Sequence, residues 1–183
     1  MARDTHPDLA RVILTPERIQ ERVNALAREI ERDYADASRL YLIGILKGAF
    51  IFLADLARAL EIPHVVDFMS VSSYGDSAVS NGAVRLMLDL RAPIRGEHVI
   101  IVEDIVDTGN TLDYLYHTLE GRNPASLRTC TLLRKERDCL DVPLDYLGFT
   151  IPDVWVVGYG LDYADTHRTL PFVAELKPEV YQE

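Results

Sequence analysis

Val99-Ile100-Ile101-Val102-Glu103-Asp104-Ile105-Val106-Asp107-Thr108-Gly109-Asn110-Thr111-Leu112 decides the reading of this chain. Its first four residues are apolar and β-branched, the pattern of a strand buried on both faces. Two carboxylates, Glu103 and Asp104, stand where that strand should end. A small-residue segment, 107–111, follows with one glycine. Leu112, Leu115, Tyr116 and Leu119 then recur at helical spacing. The stretch therefore reads as strand, acidic step, turn and helix N-terminus.

A turn at a helix N-terminus offers unpaired N–H groups and the positive end of the helix dipole, which suits a phosphate. Gly109 lets the backbone come close, and Thr108 and Thr111 add hydroxyl donors. The two carboxylates would repel a phosphate, so they suit sugar hydroxyls or a Mg²⁺ shared with a polyphosphate. A phosphorylated sugar carrying a metal-bound pyrophosphate satisfies both halves. An ordinary strand–turn–helix with surface acids is the alternative, and it accounts for the acidic pair better than for the whole ordered run.

Outward from this stretch, Thr15 is an N-cap with Pro16 at the first helical position. Ile19, Val23, Leu26, Ala27 and Ile30 then form one apolar stripe, predicting a helix to about residue 34. Residues 1–14 read as a loose lead-in containing Val12-Ile13-Leu14. Residues 40–46 read as a buried strand, followed by Lys47-Gly48 and a helix over 49–60. Residues 64–71 are a second strand. Residues 72–83, rich in Ser, Gly and Asn, are too polar for a core and too long for a tight turn. Residues 84–88 can pair as a strand. The helix after 107–111 should end at Gly121 as a C′ residue, stopped by Asn123-Pro124. Residues 126–133 are a strand, 146–149 a brief one, 154–157 the last clear core strand, and 170–176 a small closing strand. Strands alternating with helices predict an α/β fold with right-handed crossovers and a mainly parallel sheet flanked by helices, in one domain over 1–183 with a small flap formed by the chain ends.

The composition fits that class. Of 183 residues 48% are hydrophobic, enough for a substantial core without disulfides. Cys130 and Cys139 have neither metal-ligand nor framework spacing and read as free thiols of a reducing compartment. The 19 basic against 29 acidic residues, a net charge of −10, speak against nucleic acid as the main partner but not against a small anion. No apolar run approaches the about 20 residues of a membrane span. Residues 1–7 lack the apolar centre of a signal peptide. A cytoplasmic location without a membrane partner is the expectation.

Residues 102–112 resemble the phosphoribosyl pyrophosphate (PRPP) motif of the type I phosphoribosyltransferases. Lys135 and the segment Trp155-Val156-Val157-Gly158-Tyr159-Gly160-Leu161-Asp162-Tyr163 narrow the likeness to the hypoxanthine and hypoxanthine-guanine phosphoribosyltransferases. It spans residues 15–173, with separated motifs in the family's order. It implies the type I phosphoribosyltransferase fold, Mg²⁺ as cofactor, and salvage of hypoxanthine, with guanine, to IMP or GMP and pyrophosphate. A homodimer or homotetramer is expected, because the family forms both.

The resemblance also implies roles. Leu46, Lys47 and Gly48 would contact the pyrophosphate, although a plain strand-to-helix turn is an alternative for them. Residues 72–83 would be a mobile lid over the reaction centre, with Ser73 and Tyr74 at its base. Glu103 and Asp104 would hold the ribose hydroxyls, directly or through a metal. Asp107 would be the general base at purine N7, or an N-cap of the following helix; the two are compatible. Asp107, Thr108, Gly109, Asn110 and Thr111 would wrap the 5′-phosphate, without the G-K-[ST] pattern of a Walker loop.

Lys135 would donate to the purine 6-oxo group, or else face solvent in the charged run 134–138. Trp155 stands where the family commonly has a stacking phenylalanine; a core aromatic on a strand is the alternative. Val156 would offer main-chain contacts to the base. Asp162 would bind the pyrophosphate-side Mg²⁺ and count with Lys135, Trp155 and Val156 among the purine-binding residues, and Arg168 would meet the pyrophosphate. Two rivals accompany this reading. One is a PRPP-motif regulator that binds RNA or DNA; the other is a phosphoribosyltransferase for xanthine or another base.

Overall fold

The computed structural model describes residues 6–73, 84–137 and 143–182, with the side chains of Ser73 and Val84 left aside. Six strands form the main sheet: β2 (Leu40–Leu46), β3 (His64–Ser73), β4 (Val84–Leu88), β5 (His98–Val106), β6 (Ser126–Lys135) and β7 (Tyr146–Ile151). Their order is β4-β3-β2-β5-β6-β7. All neighbours are parallel except β3 and β4. The apolar run 99–102 thus lies mid-sheet, and the acidic end of its strand emerges at the edge where the parallel strands finish.

Alternation along the strands sorts the core into two layers. Ile100 and Val102 of β5, with Leu40 and Leu42 of β2, pack under helices α1 (Pro16–Asp33) and α2 (Phe50–Ala59). Val99 and Ile101, with Tyr41, Ile43 and Ile45, pack against Leu112, Leu115 and Leu119 of α3 (Asn110–Glu120). Both faces of β5 are covered, as its unbroken apolar run requires. Thr15 caps α1 as expected, accepting from the Arg18 amide at 3.4 Å.

Four expectations need correction. Residues 9–14 are not a loose lead-in: β1 (Leu9–Leu14) pairs antiparallel with β9 (Val173–Leu176), which also pairs with β8 (Val156–Val157). The flap is therefore a sheet of order β1-β9-β8. Residues 154–157 do not supply a strand of the main sheet, because β7 already takes the position beside β6, from Cys130↔Tyr146 to Lys135↔Ile151. The brief strand expected at 146–149 is that edge strand and runs to Ile151. Gly121 closes α3 in a right-handed conformation (φ −60°), and the left-handed residue is Asn123 (φ 55°), just before Pro124. A short helix α4 (Pro178–Tyr181) follows β9. Among the described residues no helix is long and apolar enough to cross a membrane.

Candidate active site

Two adjoining cavities lie at the end of β5, and the flap lines the second. The first, about 260 Å³, is lined by Glu103, Asp104, Asp107, Thr108, Gly109 and Thr111 among others. The second, about 210 Å³, is lined by Lys135, Trp155, Val156, Leu161 and Asp162. Asp104, Ile105 and Asp107 line both. One molecule with two parts could therefore span them, with its junction at Asp107.

At the first cavity the turn into α3 presents its backbone. Gly109 takes φ 87°, which favours glycine, and stands at the N-cap of α3 with no side-chain cap. The first amides of α3 thus lack a competing side-chain acceptor at the cap. Asp107 is not the N-cap; its carboxylate turns to the other cavity. Asn110 is exposed and lies outside the lining, whereas Thr108 and Thr111 are within it.

Glu103 and Asp104 are buried, and Glu103 Oε2 has no hydrogen-bond partner among the described residues. Burial, then the Asp104 charge, pushes the Glu103 carboxyl well above the ordinary carboxylate range. Burial raises Asp104 too, opposed by its hydrogen bonds and by Arg168. Burial of two adjacent carboxyls favours sharing a proton over carrying two charges. Together with Asp162 the pair presents carboxylate oxygens alone, one without a partner, which fits a hard divalent cation such as Mg²⁺.

Gly48 lies against this pair: a Cβ there would collide with the Asp104 carboxylate. Gly160 of the flap loop (φ 105°) lies in turn against Gly48, its Cβ position blocked by the Gly48 carbonyl oxygen. The turn after β2 is therefore clamped between β5 and the flap. Lys47 extends from that turn into solvent and pairs with Asp165 at 2.9 Å. Arg168 donates to the Gly160 carbonyl at 2.8 Å and pairs with Asp162 at 2.7 Å and Asp165 at 3.1 Å.

The second cavity has the opposite character. Lys135 is buried, not solvent-facing; its ammonium lies 3.1 Å from Asp107 and 3.3 Å from Asp153. It also sits 5.8 Å from the centroid of the Trp155 ring. Trp155 is not a core aromatic. It is 49% exposed, edge-on to Tyr163 at 5.9 Å and tilted on Tyr181 at 5.5 Å. Val156 is buried in β8, with its neighbour Trp155 just outside that strand.

Sequence reasoning missed Arg137 and Asp153. Arg137 holds Asp107 at 2.7 Å and approaches Asp153 at 3.6 Å. The signal was present in the charged run 134–138: residues two apart in an extended segment share a face, so Lys135 and Arg137 go together. Residues 74–83, most of the expected lid including Tyr74, lie outside the described residues, as does Cys139; Ser73 ends β3.

A family model described as "Phosphoribosyl transferase domain" matches residues 13–164. Two curated relatives are named hypoxanthine-guanine phosphoribosyltransferase. The Dictyostelium discoideum protein is 49% identical over 94% of this chain and 98% of its own. The Mycobacterium avium protein is 50% identical over 96% of this chain and 90% of its own. A solved structure of the Trypanosoma cruzi hypoxanthine phosphoribosyltransferase in complex with the product IMP superposes with a TM-score of 0.90. It is 45% identical, covering 97% of this chain and 99% of that one.

Proposed function

The chain belongs to the phosphoribosyltransferase family, and from that premise we propose that it transfers the phosphoribosyl group of PRPP to hypoxanthine and guanine. The products are IMP or GMP and pyrophosphate, which makes the protein an enzyme of purine salvage. Relatives that carry that name, at about half identity over nearly the whole chain, support the reaction. The observation that carries it is the junction of the two cavities at Asp107, with an uncapped helix N-terminus on one side and a cation beside an aromatic face on the other.

The residues then divide the work. The uncapped amides of α3 and the hydroxyls of Thr108 and Thr111 take the 5′-phosphate, and Glu103 and Asp104 take the ribose hydroxyls. Lys47, Arg168 and the backbone of residues 46–48 receive the pyrophosphate. Mg²⁺, held by Asp162 and by the Glu103–Asp104 pair, would neutralise the departing pyrophosphate. Trp155 stacks on the base. Lys135, which has only donors, matches a 6-oxo acceptor and not the amine of adenine. Asp107 exchanges a proton with N7, the atom next to the 6-oxo group on the same edge.

The enzyme would work in the cytoplasm as a homodimer or homotetramer, which light scattering on the eluted species would test. The reaction is tested by a panel of hypoxanthine, guanine, xanthine and adenine with PRPP and Mg²⁺. Turnover of the first two, with adenine inert, is expected. Turnover of adenine alone would overturn the Lys135 assignment, and turnover of none would overturn the function.

A further inference from the structure

His6, Asp8 and His167 meet on the flap, although 159 positions separate His167 from Asp8. Asp8 Oδ2 lies 3.4 Å from His6 Nδ1 and 3.2 Å from His167 Nε2. The two imidazoles pack edge to face at 4.6 Å. One potential ligand atom from each residue lies within 4.8 Å of the other two. Ligand atoms sharing a tetrahedral Zn²⁺, with bonds near 2 Å, stand roughly 3.3 Å apart. Two of the three edges therefore already have that length.

The framework beneath is fixed on both sides. The Asp8 carbonyl accepts from the Lys177 amide at 2.9 Å, tying the segment before β1 to the residue after β9. The His167 side chain is only 10% exposed, while those of Asp8 and His6 are 37% and 43% exposed. The cluster is thus closed on its protein side and open to solvent on the other. The bonds a cation would displace are long ones, from the Asp8 amide to His6 Nδ1 at 3.3 Å and between His167 Nε2 and Asp8 Oδ2 at 3.2 Å.

We infer that His6, Asp8 and His167 form a Zn²⁺ site, with water in the fourth position. Two imidazoles and a carboxylate suit a borderline cation better than Mg²⁺ or Ca²⁺, which favour oxygen ligands. The ion would strap the segment before β1 to the loop that bears Asp162, Asp165 and Arg168. It would be separate from the carboxylate cluster at the end of β5.

The test uses the untagged full chain, stripped with a chelator and titrated calorimetrically with ZnCl₂ in excess Mg²⁺, which occupies oxygen-only sites. Wild type should take up about one Zn²⁺ per chain and gain in Tm on binding. Asp8→Asn and His167→Gln should lose that equivalent and the Tm gain. Cobalt in its place should give visible absorption bands that both variants lack. Absence of zinc uptake by wild type, or superposable zinc curves for wild type and Asp8→Asn, would overturn the site. Asp8 is the more exposed of the two, so its variant decides the matter even if His167→Gln does not fold.

Discussion

Lys135 Nζ donates to Asp107 Oδ2 across 3.1 Å. The proposed purine-recognising cation and the proposed base therefore hold each other, and a 6-oxopurine edge must be read by both at once. Neither depends on the other alone. Asp107 is also held by Arg137 at 2.7 Å, and Lys135 by Asp153 at 3.3 Å. Removing either charge should leave its partner satisfied, so the catalytic consequences separate from the structural ones.

Asp107→Asn keeps the shape and one accepting oxygen for Lys135 or Arg137, but its amide cannot take a proton. We expect kcat to fall roughly 10²-fold or more, the range of general acid–base contributions. Tm should stay near wild type. Steady-state kinetics with hypoxanthine checks this; near-normal kcat would remove Asp107 from the proton transfer.

Lys135→Ala removes a donor from the base pocket and leaves the phosphate cradle untouched. The hypoxanthine KM should rise at least tenfold, about 1.4 kcal/mol, with a much smaller change in the PRPP KM. Equal rises in both would show that the lysine supports the whole site and does not read the base.

Trp155 is half-exposed on the pocket wall, so little core packing rests on it. Trp155→Ala should raise the purine KM roughly 2- to 12-fold, the equivalent of about 0.5–1.5 kcal/mol of ring stacking. Trp155→Phe should restore most of it. A variant series in which Phe behaves like Ala would argue against stacking.

The Glu103 carboxyl is raised above its ordinary 4.5 by burial first and the Asp104 charge second. The folded chain therefore keeps a proton that the unfolded chain releases. The stability this provides is complete below the unfolded value and is lost as pH rises through the folded one. Glu103→Gln carries the neutral form at every pH. In Mg²⁺-free buffer its stability should draw ahead of wild type as pH climbs from 4.5 toward neutrality, by about 1–3 kcal/mol at most. Thermal melts across that range decide it, and a pH-independent gap would mean the proton is absent.

Gly160 allows the flap loop to lie on the turn at Gly48, which lies on Asp104. Gly160→Ala adds a clash and strains a residue at φ 105°. The expected loss is about 1–3 kcal/mol of stability. In the surviving fold the PRPP KM should rise more than the hypoxanthine KM. An unchanged PRPP KM would detach this contact from pyrophosphate binding.

How much of the molecule was legible differs by element. β5 and α3 were readable because each carries its own signal: an apolar run covered on both faces, then a helical repeat after a glycine. The capped start of α1 was readable for the same reason. Residues 146–151 and 154–157 were not assigned correctly between them. Both are short apolar segments, and which one joins β6 depends on pairing that neither segment encodes alone. Lys135 shows the same limit at the site. Within its charged run nothing distinguishes it from its neighbours, yet among the described residues of that run it alone is buried, between Asp107 and Asp153.

By itself the sequence determined the strand–acid–turn–helix unit and the alternation of strands and helices, because backbone chemistry and periodicity are local properties. Only the tertiary structure decided that Asp107 faces Lys135 and Arg137, that the flap is a sheet seated over the strand ends, and that His6 and Asp8 meet His167. Those placements depend on which elements pack against one another. Side chains 28 and 159 positions apart come into contact only when the burial of the two apolar layers has brought their elements together.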